Sequence, residues 1–379
     1  MQEKKLRDLL DWTDRTKEFL SELLEKVDGY DSIVIFGAGI GGKQTYELLR
    51  EHHMDEKIKA FSDNNKSKIG TIYCDKPVIA STNIAFYGDN LIVLVSSTAY
   101  DIIKRQLMNL GLCEENIFFF QPAGVSLNEN EDRSFIKNNI SKFEVVYDML
   151  MDEESKWIYC SLLNYRMTKS IKYLEDLRPV VLPESEQYFD KRILDSYYFD
   201  KTFVDCGAYN GDTLSAFYKQ FPEWKGKYYC LEANEVLCAS LRKEIEDKTN
   251  IILLNYAIWG VRGRLCFDVS GDVGGRISSK GVEVDCDSLD NLLKGEEIDF
   301  IKMDIEGAEE MALLGGKDIL KNSKPILAIC IYHKPEDFFN IPLMIEEMVP
   351  NEYCYYVRQY RYGQSETVLY ALPKSRKKS

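Results

Sequence analysis

The chain contains Phe203-Val204-Asp205-Cys206-Gly207-Ala208-Tyr209-Asn210-Gly211-Asp212-Thr213, an apolar run that leads into a glycine turn and then into a helix. Gly207 and Gly211 allow backbone N–H groups to approach a ligand closely. The helix that follows would direct its positive end toward the same place. This order is typical of a nucleotide-cofactor loop, although a glycine loop alone is also a common structural turn.

A second acidic residue supports the cofactor interpretation. Glu232 ends the next apolar run, Tyr228-Tyr229-Cys230-Leu231, about one strand-helix-strand unit later. A carboxylate at the end of the second strand is how such folds hold the two hydroxyls of an adenosine ribose. The two features together predict a nucleotide-type cofactor site in the C-terminal half.

Composition limits the function classes. The chain of 379 residues is long enough for two domains, and 45% hydrophobic with 29% charged residues is typical of a soluble protein. No run approaches the roughly 20 apolar residues of a transmembrane helix, and the N-terminus does not resemble a secretory signal, so we expect a cytoplasmic protein. A net charge of −14 argues against nucleic acid as a partner. The ten cysteines form no Cys-x-x-Cys pair, which favours reduced thiols and no metal site.

The N-terminal half shows its own strand-helix alternation. A leading helix with apolar spacing from Leu6 to Leu24 precedes the strand 31–36, and alternation continues to the strand 117–120. Gly37, Gly39 and Gly42, with Asp63 after the second strand, match a dinucleotide fingerprint. The sequence after Asp63 also resembles the small Rossmann-like domains that precede sugar acyltransferases and hold a nucleotide sugar. Three interpretations stay open: a nucleotide-sugar site, a packing or dimerising domain, and a nicotinamide site.

The predicted fold class is α/β, with two Rossmann-like, doubly wound domains. Residues 1–125 form the first domain, 126–198 a helical connector and 199–379 the second domain. In the second domain five predicted parallel strands are followed by two late strands, 353–358 and 367–372, close enough for an antiparallel hairpin. That layout is typical of class I S-adenosylmethionine methyltransferases and differs from a dehydrogenase, whose sixth strand is parallel.

The segment Lys302-Met303-Asp304-Ile305-Glu306-Gly307-Ala308-Glu309, preceded by Asp285-Cys286-Asp287-Ser288-Leu289-Asp290, resembles the signature of the FkbM-type methyltransferases. These enzymes transfer a methyl group from S-adenosylmethionine to oxygen. The resemblance covers 199–372, and the segment 331–337 is similar to one found in the subgroup with an extra N-terminal domain. One departure is Ala233 after Glu232, where the family commonly has proline.

The resemblance implies a set of cofactor residues in three groups. Those around the methionine part are Asp205, Gly207, Ala208, Gly211, Asp212 and Thr213. Glu232 is implied at the ribose, and Ala233, Asn234 and Ala257 are implied at the adenine.

Three residues are candidates for catalysis. His333 follows the fifth strand and can titrate near neutral pH, so we predict that it takes the proton of the acceptor hydroxyl. Asp304 and Glu306 are alternative bases or could act through a divalent ion. The competing structural interpretations are that His333 forms local hydrogen bonds and that Asp304 caps the following helix.

The sequence therefore predicts an O-methyltransferase that uses S-adenosylmethionine and acts on a sugar, a glycan precursor or a related metabolite. Two alternatives are a nicotinamide-dependent oxidoreductase and a non-catalytic nucleotide-sugar-binding protein with a decayed methyltransferase fold. A homo-oligomer is compatible with the aromatic residues of the connector.

Overall fold

The computed structural model describes residues 5–13, 16–97, 99–120, 129–268, 276–277 and 281–378. Its N-terminal part is a mixed α/β layer whose sheet has the strand order β3-β4-β2-β1-β5-β6. The strands are β1 (Ser32–Phe36), β2 (Ile58–Ser62), β3 (Ile72–Tyr73), β4 (Lys76–Ile79), β5 (Leu91–Val95) and β6 (Ile117–Phe119). The helices are α1 (Leu6–Leu9), α2 (Thr16–Asp28), α3 (Ile40–Glu51) and α4 (Tyr100–Asn109).

Two features of this part differ from the sequence prediction. The single leading helix is wrong, because α1 ends at Leu9 and Leu10 is already extended. The hairpin of β3 and β4 is antiparallel and was not predicted. These strands are too short for a period of two to be visible in the sequence. The parallel pairing of β1 with β2 and β5 agrees with the predicted α/β class.

Helices connect the two sheets. They are α5 (Glu129–Asn138), α6 (Ile140–Met149), α7 (Glu153–Thr168), α8 (Lys172–Leu177) and α9 (Lys191–Leu194). Helix α7 is largely buried, and the Tyr159 hydroxyl at its centre donates to the carbonyl oxygen of Phe338. The connector is therefore a packed layer, while the exact domain bounds stay a prediction.

The main C-terminal sheet has the strand order β16-β17-β15-β14-β7-β8-β9. Its strands are β7 (Thr202–Cys206), β8 (Lys227–Leu231), β9 (Ile251–Leu254), β14 (Phe300–Met303), β15 (Ile326–Cys330), β16 (Tyr353–Gln359) and β17 (Thr367–Pro373). Strands β7, β8, β9, β14 and β15 are parallel, and β17 is antiparallel to both of its neighbours. The predicted order of parallel strands followed by a hairpin is confirmed.

The remaining elements lie around this sheet. The helices are α10 (Asp212–Gln220), α11 (Glu235–Glu244), α12 (Leu289–Leu292), α13 (Glu309–Leu314), α14 (Lys317–Asn322) and α15 (Asp337–Met348). A smaller sheet in the order β10-β13-β11-β12 was not predicted. It consists of β10 (Ala257–Ile258), β11 (Gly263–Asp268), β12 (Arg276–Ile277) and β13 (Val282–Asp287).

Aromatic packing joins the N-terminal and C-terminal parts. Tyr362, in the turn between β16 and β17, lies 4.9 Å from both Tyr100 and Phe119 between ring centroids. Its hydroxyl donates to Glu175 at 2.6 Å, and Arg178 lies over its ring. The turn of the C-terminal hairpin is thus held by the N-terminal domain and the connector.

Within the described parts of the chain, we find no helix with the length and apolar character needed to cross a bilayer.

Gly207 fixes how closely two loops of the main sheet approach. It follows β7 at φ +82°, and a Cβ at this position would lie 2.0 Å from the carbonyl oxygen of Asp304. Gly295, in the turn after α12, has a similar φ of +86°, but a Cβ there would have no neighbouring atom within 4 Å. Alanine substitutions at Gly207 and Gly295 therefore distinguish the cost of a left-handed backbone, which both share, from the cost of the close approach to Asp304, which only Gly207 has.

We expect Gly295→Ala to lower the free energy of unfolding by about 1–2 kcal/mol, the cost of a left-handed non-glycine residue. Gly207→Ala should lower it by about 2–5 kcal/mol, because the loop after β14 must also move away. Urea unfolding of both variants measures the difference. Equal losses would show that the close approach to Asp304 does not matter for stability.

Candidate functional site

A cavity of about 680 Å³ opens at the carboxyl ends of β7, β8 and β14. Ligands of open α/β sheets bind at this edge. Several residues predicted from the sequence line its wall, namely Gly207, Asp212, Thr213, Glu232, Ala233, Ala257, Asp304 and Glu306. The structure therefore brings these predicted cofactor and catalytic residues, but not all of the predicted ones, to one cavity.

Amides of the glycine loop after β7 are hydrogen-bonded to the end of β8 and are not free to bind a ligand. The amides of Gly207 and Ala208 donate to the carbonyl oxygen of Leu231 at 2.9 and 3.1 Å, and the amide of Tyr209 donates to Glu232 at 2.9 Å. The expectation that the amides of this loop point at a ligand is therefore wrong for these residues. Their role is to fix the loop against β8.

A buried ion pair fixes the loop against β14. Lys302 Nζ lies 2.9 Å from Asp205 Oδ1, and both side chains are almost completely buried. Lys302 also donates to the carbonyl oxygen of Gly207 at 2.7 Å, and Tyr228 donates to Asp205 at 2.9 Å. Asp205, predicted at the cofactor, thus acts one layer behind the cavity wall.

Glu232 accepts two backbone hydrogen bonds. They come from Tyr209 at 2.9 Å and Asn234 at 2.8 Å. Burial raises the pKa of Glu232, and these two donors oppose the shift. The carboxylate lines the cavity, so it is placed both to brace the loop and to accept hydrogen bonds from a ligand.

Three further predicted cofactor residues do not lie on the wall. Ala208 is buried in the apolar core, and Gly211 precedes α10 at φ +84°. The Asn234 side chain accepts from the amide of Val236 and caps α11. These residues shape the loops that carry the wall, and nothing in the sequence distinguished this role from direct contact.

Asp304 and His333 come together after β14 and β15. His333 Nε2 lies 3.3 Å from Asp304 Oδ1 and 3.8 Å from Glu306 Oε2, while Nδ1 lies 3.0 Å from Glu309 Oε1. Asp304 does not cap the following helix, which begins at Glu309 after Ala308. The Asp304 side chain instead accepts from the Tyr188 hydroxyl at 2.9 Å.

The electrostatics of this group favour a charged pair. Burial alone would lower the pKa of His333, but the carboxylates of Asp304 and Glu309 raise it well above its ordinary value. Burial would likewise raise the pKa of Asp304, yet His333 and Lys302 hold it below its ordinary value. His333 has 8% of its side chain exposed and is not on the cavity wall, whereas Asp304 and Glu306 are.

Four of the described non-glycine residues of the cavity wall have a left-handed backbone. Tyr188, Tyr209, Glu306 and Glu366 line the wall and have φ values of 68°, 46°, 55° and 63°. Such left-handed conformations cost non-glycine residues free energy and occur most often at functional sites. Glu306 and Gly307, both left-handed, form the turn that presents Asp304 and Glu306 together.

Except for Arg361, which the tyrosine-rich stretch offers as an acceptor-pocket residue, the second half of the wall was not predicted. It is polar and comes from the connector, from the end of β15 and from the turn between β16 and β17: Ser185, Gln187, Tyr188, Tyr332, Arg361 and Glu366. The connector residues carry no motif, so no sequence signal could have found them. Arg361 lies in a tyrosine-rich stretch whose composition alone does not distinguish a cavity wall from an ordinary strand face.

The N-terminal glycine loop has the same acid brace as the C-terminal one. Asp63 accepts from the amides of Ala38 and Asn65 at 2.9 and 2.8 Å. Two loop carbonyls also accept hydrogen bonds from side chains. Lys68 donates to Ala38 at 3.2 Å and Tyr73 donates to Gly39 at 3.0 Å.

Comparison with known families decides the class of the C-terminal part. Residues 205–362 match the model of the methyltransferase FkbM domain, and residues 29–118 match the model named C2185-like, N-terminal. Residues 205–362 form an FkbM-type methyltransferase domain. S-adenosylmethionine is the cofactor of this domain. The residues of the cavity fit it, because Gly207 lets the loop after β7 pack closely against the loop after β14 at the wall, and the Glu232 carboxylate lies on the wall, where it can accept hydrogen bonds from a ribose.

Solved structures agree with this fold. The crystal structure of methyltransferase FkbM from Methylobacillus flagellatus KT is 21% identical, covers 93% of each chain and has a TM-score of 0.62. The likeness confirms the predicted fold class. Fibrillarin from Aeropyrum pernix, solved with natively bound S-adenosyl-L-methionine, is 10% identical, covers 50% of this chain and 73% of its own, and has a TM-score of only 0.30. No curated protein matches the chain.

We expect Glu232→Ala to weaken binding of S-adenosylmethionine at least about tenfold, because each hydrogen bond to a charged group contributes about 1.5–3 kcal/mol. Calorimetry on the full chain measures the change. Glu235→Ala is the matched control, since Glu235 is exposed and pairs with Arg242 outside the cavity. Unchanged affinity in Glu232→Ala would overturn the ribose assignment.

Proposed function

We propose that the FkbM domain transfers the methyl group of S-adenosylmethionine to a hydroxyl oxygen of a sugar, a glycan precursor or a related metabolite. The observation that carries this proposal is that one cavity is lined by two kinds of residue. Glu232 and residues of the predicted cofactor loop line it together with the hydrogen-bonding side chains of Gln187, Arg361 and Glu366. A wall rich in hydrogen-bonding side chains suits an acceptor with several hydroxyls.

S-adenosylmethionine supplies an electrophilic methyl group on a sulfonium, so the protein must mainly hold the acceptor oxygen in line. The proposed contacts are Gly207, Asp212 and Thr213 at the methionine part, Glu232 at the ribose, and Ala233 and Ala257 at the adenine. Asp205, Ala208, Gly211 and Asn234 are proposed to support these contacts from behind. The rigid loop anchored by Lys302 favours a fixed cofactor position.

His333, Asp304 and Glu306 are proposed to handle the proton of the acceptor. Asp304 and Glu306 reach the cavity, and His333 contacts Asp304 from behind it. Because its pKa is raised, His333 is mainly protonated at neutral pH. It can accept the acceptor's proton only after it has lost its own. Glu306 is the alternative base, because it lies on the wall and 3.8 Å from the imidazole.

The other predictions stay proposals. The N-terminal domain is proposed to hold a nucleotide sugar or to serve packing, with Gly37, Gly39, Gly42 and Asp63 as its loop residues. A homo-oligomer and a cytoplasmic location are proposed as well. The central experiment is mass spectrometry of ligands that co-purify with the full chain: S-adenosylhomocysteine supports methyl transfer, whereas a nucleotide sugar alone supports a non-catalytic binding protein.

The N-terminal loop should not serve hydride transfer, because the second strand ends in Ser62-Asp63-Asn64-Asn65 and the cofactor cavity lies in the C-terminal part of the chain. Titration of the full chain with oxidised and reduced nicotinamide dinucleotides should give no saturable binding at submillimolar concentration. Tight binding with a changed cofactor fluorescence would instead support the oxidoreductase alternative.

We expect His333→Asn to lower turnover at least about a hundredfold, since a general base contributes about 10²–10⁴-fold. Affinity for S-adenosylmethionine should stay nearly constant, because His333 is not on the wall. An acceptor must first be found by transfer of labelled methyl to a panel of nucleotide sugars and glycosides. His52→Asn is the control, as His52 belongs to the N-terminal domain.

The same assay includes Glu306→Gln. Wild-type turnover in His333→Asn together with lost turnover in Glu306→Gln would assign the base to the carboxylate and contradict the role of His333.

A further inference from the structure

Three side chains, one on the cavity wall and two directly behind it, are arranged so that one ion can reach all of them. Asp304, Glu309 and His333 each offer one ligand atom, and these atoms lie within 4.8 Å of one another. Oxygen ligands bind divalent ions at about 2.0–2.6 Å, so atoms at this separation can share one ion. The three residues come from the loop after β14, the start of α13 and the loop after β15.

The surroundings of this group carry an excess of negative charge. Asp304, Glu306 and Glu309 all face the one imidazole of His333. Asp337, at the start of α15, adds a carboxyl group with 1% of its surface exposed. Lys302, which acts on Asp304, is already paired with Asp205. Even with a protonated imidazole, the three carboxylates that face it leave net negative charge, and such charge in a mostly buried group is costly, so this group is suited to a cation.

Polar atoms in the group lack aligned hydrogen bonds. Within the described residues, both ring nitrogens of His333, Asp304 Oδ1 and Glu309 Oε2 are buried and make no hydrogen bond of normal geometry. His333 is more than nine-tenths buried and Glu309 is completely buried. The carboxylates lie close to the imidazole but not along its N–H directions. An ion bound between them would give these buried oxygen and nitrogen atoms a partner.

Asp304 also approaches Cys330 and Glu366 within the same 4.8 Å limit, but that side is occupied. The Tyr188 hydroxyl donates to Asp304 Oδ2 and lies 3.5 Å from Cys330 Sγ. Asp304 Oδ1 is the oxygen that faces His333. The geometry therefore favours the group with Glu309 and His333.

We propose that Asp304, Glu309 and His333 bind one divalent cation beside the cavity, with Asp304 on the wall and the other two residues behind it. Two carboxylates and one imidazole suit an ion such as Mn²⁺, with further positions left for water or an acceptor. The role of this cation rests on the proposed function: a bound cation lowers the pKa of an acceptor hydroxyl that coordinates it. In the cation-bound state His333 is a ligand, its proton is released on binding, and Glu306 is left to take the proton of the acceptor.

The test uses the three histidines of the chain. The full-length protein is labelled with ¹⁵N in its histidine rings and titrated with Mn²⁺ alone, without acceptor or cofactor. We expect the His333 signals to broaden in a saturable way near one equivalent, while those of His52 and His53 in the N-terminal domain stay sharp. A chelator should restore the His333 signals.

Glu309→Gln should require at least about tenfold more Mn²⁺ for the same broadening. Glutamine can still accept the hydrogen bond from the amide of Ile305, so the turn is retained. Glu310→Gln is the matched control, because it removes the same charge from the neighbouring residue, which bonds Asn340 instead. Unchanged affinity for S-adenosylmethionine in both variants establishes that they are folded.

Absence of saturable broadening at His333, equal broadening of all three histidines, or an equal response in Glu309→Gln and the wild type would each overturn the cation site. Because the titration needs no methyl transfer, its outcome is independent of the acceptor assay. Cation binding without methyl transfer to any hydroxyl would count against the proposed function alone.

Discussion

The buried ion pair of Lys302 and Asp205 is the constraint on which the cavity depends. The two residues are paired in register on neighbouring parallel strands, β14 and β7, at the centre of the main sheet. Removing one partner of such a pair costs about 3–5 kcal/mol, because the other charge is left buried and uncompensated. Lys302 also holds the carbonyl oxygen of Gly207. One ammonium group therefore sets the distance between the cofactor loop and the turn that carries Asp304.

Sequence patterns predicted the strands with apolar sequence and missed the short or polar ones. Apolar runs such as 202–206 and 326–330 are visible because every residue in them is buried. The strand Val282–Asp287 is mostly exposed and polar, so the smaller sheet left no comparable pattern. Likewise Glu232 and Asp304 follow recognisable strands, whereas Tyr188 reaches the cavity only through tertiary packing of the connector.

The two glycine loops show why a local motif does not fix a function. In both, an acid after the second strand accepts from a loop amide and from the amide two residues beyond itself. The difference lies in what surrounds the loop. Lys68 and Tyr73 donate to carbonyl oxygens of the N-terminal loop, while the C-terminal loop borders the cavity. The glycine fingerprint thus indicates a strand-loop-strand geometry. A loop with this geometry can bind different ligands or no ligand.

The aromatic contact of Tyr362 with Tyr100 and Phe119 has a consequence for the cavity. Its neighbour Arg361 lines the cavity, so this part of the wall is carried on a turn that the other domain holds in place. A substitution at Tyr100 or Phe119 would change the support of this turn, so changes in the N-terminal half act on the cavity of the C-terminal half.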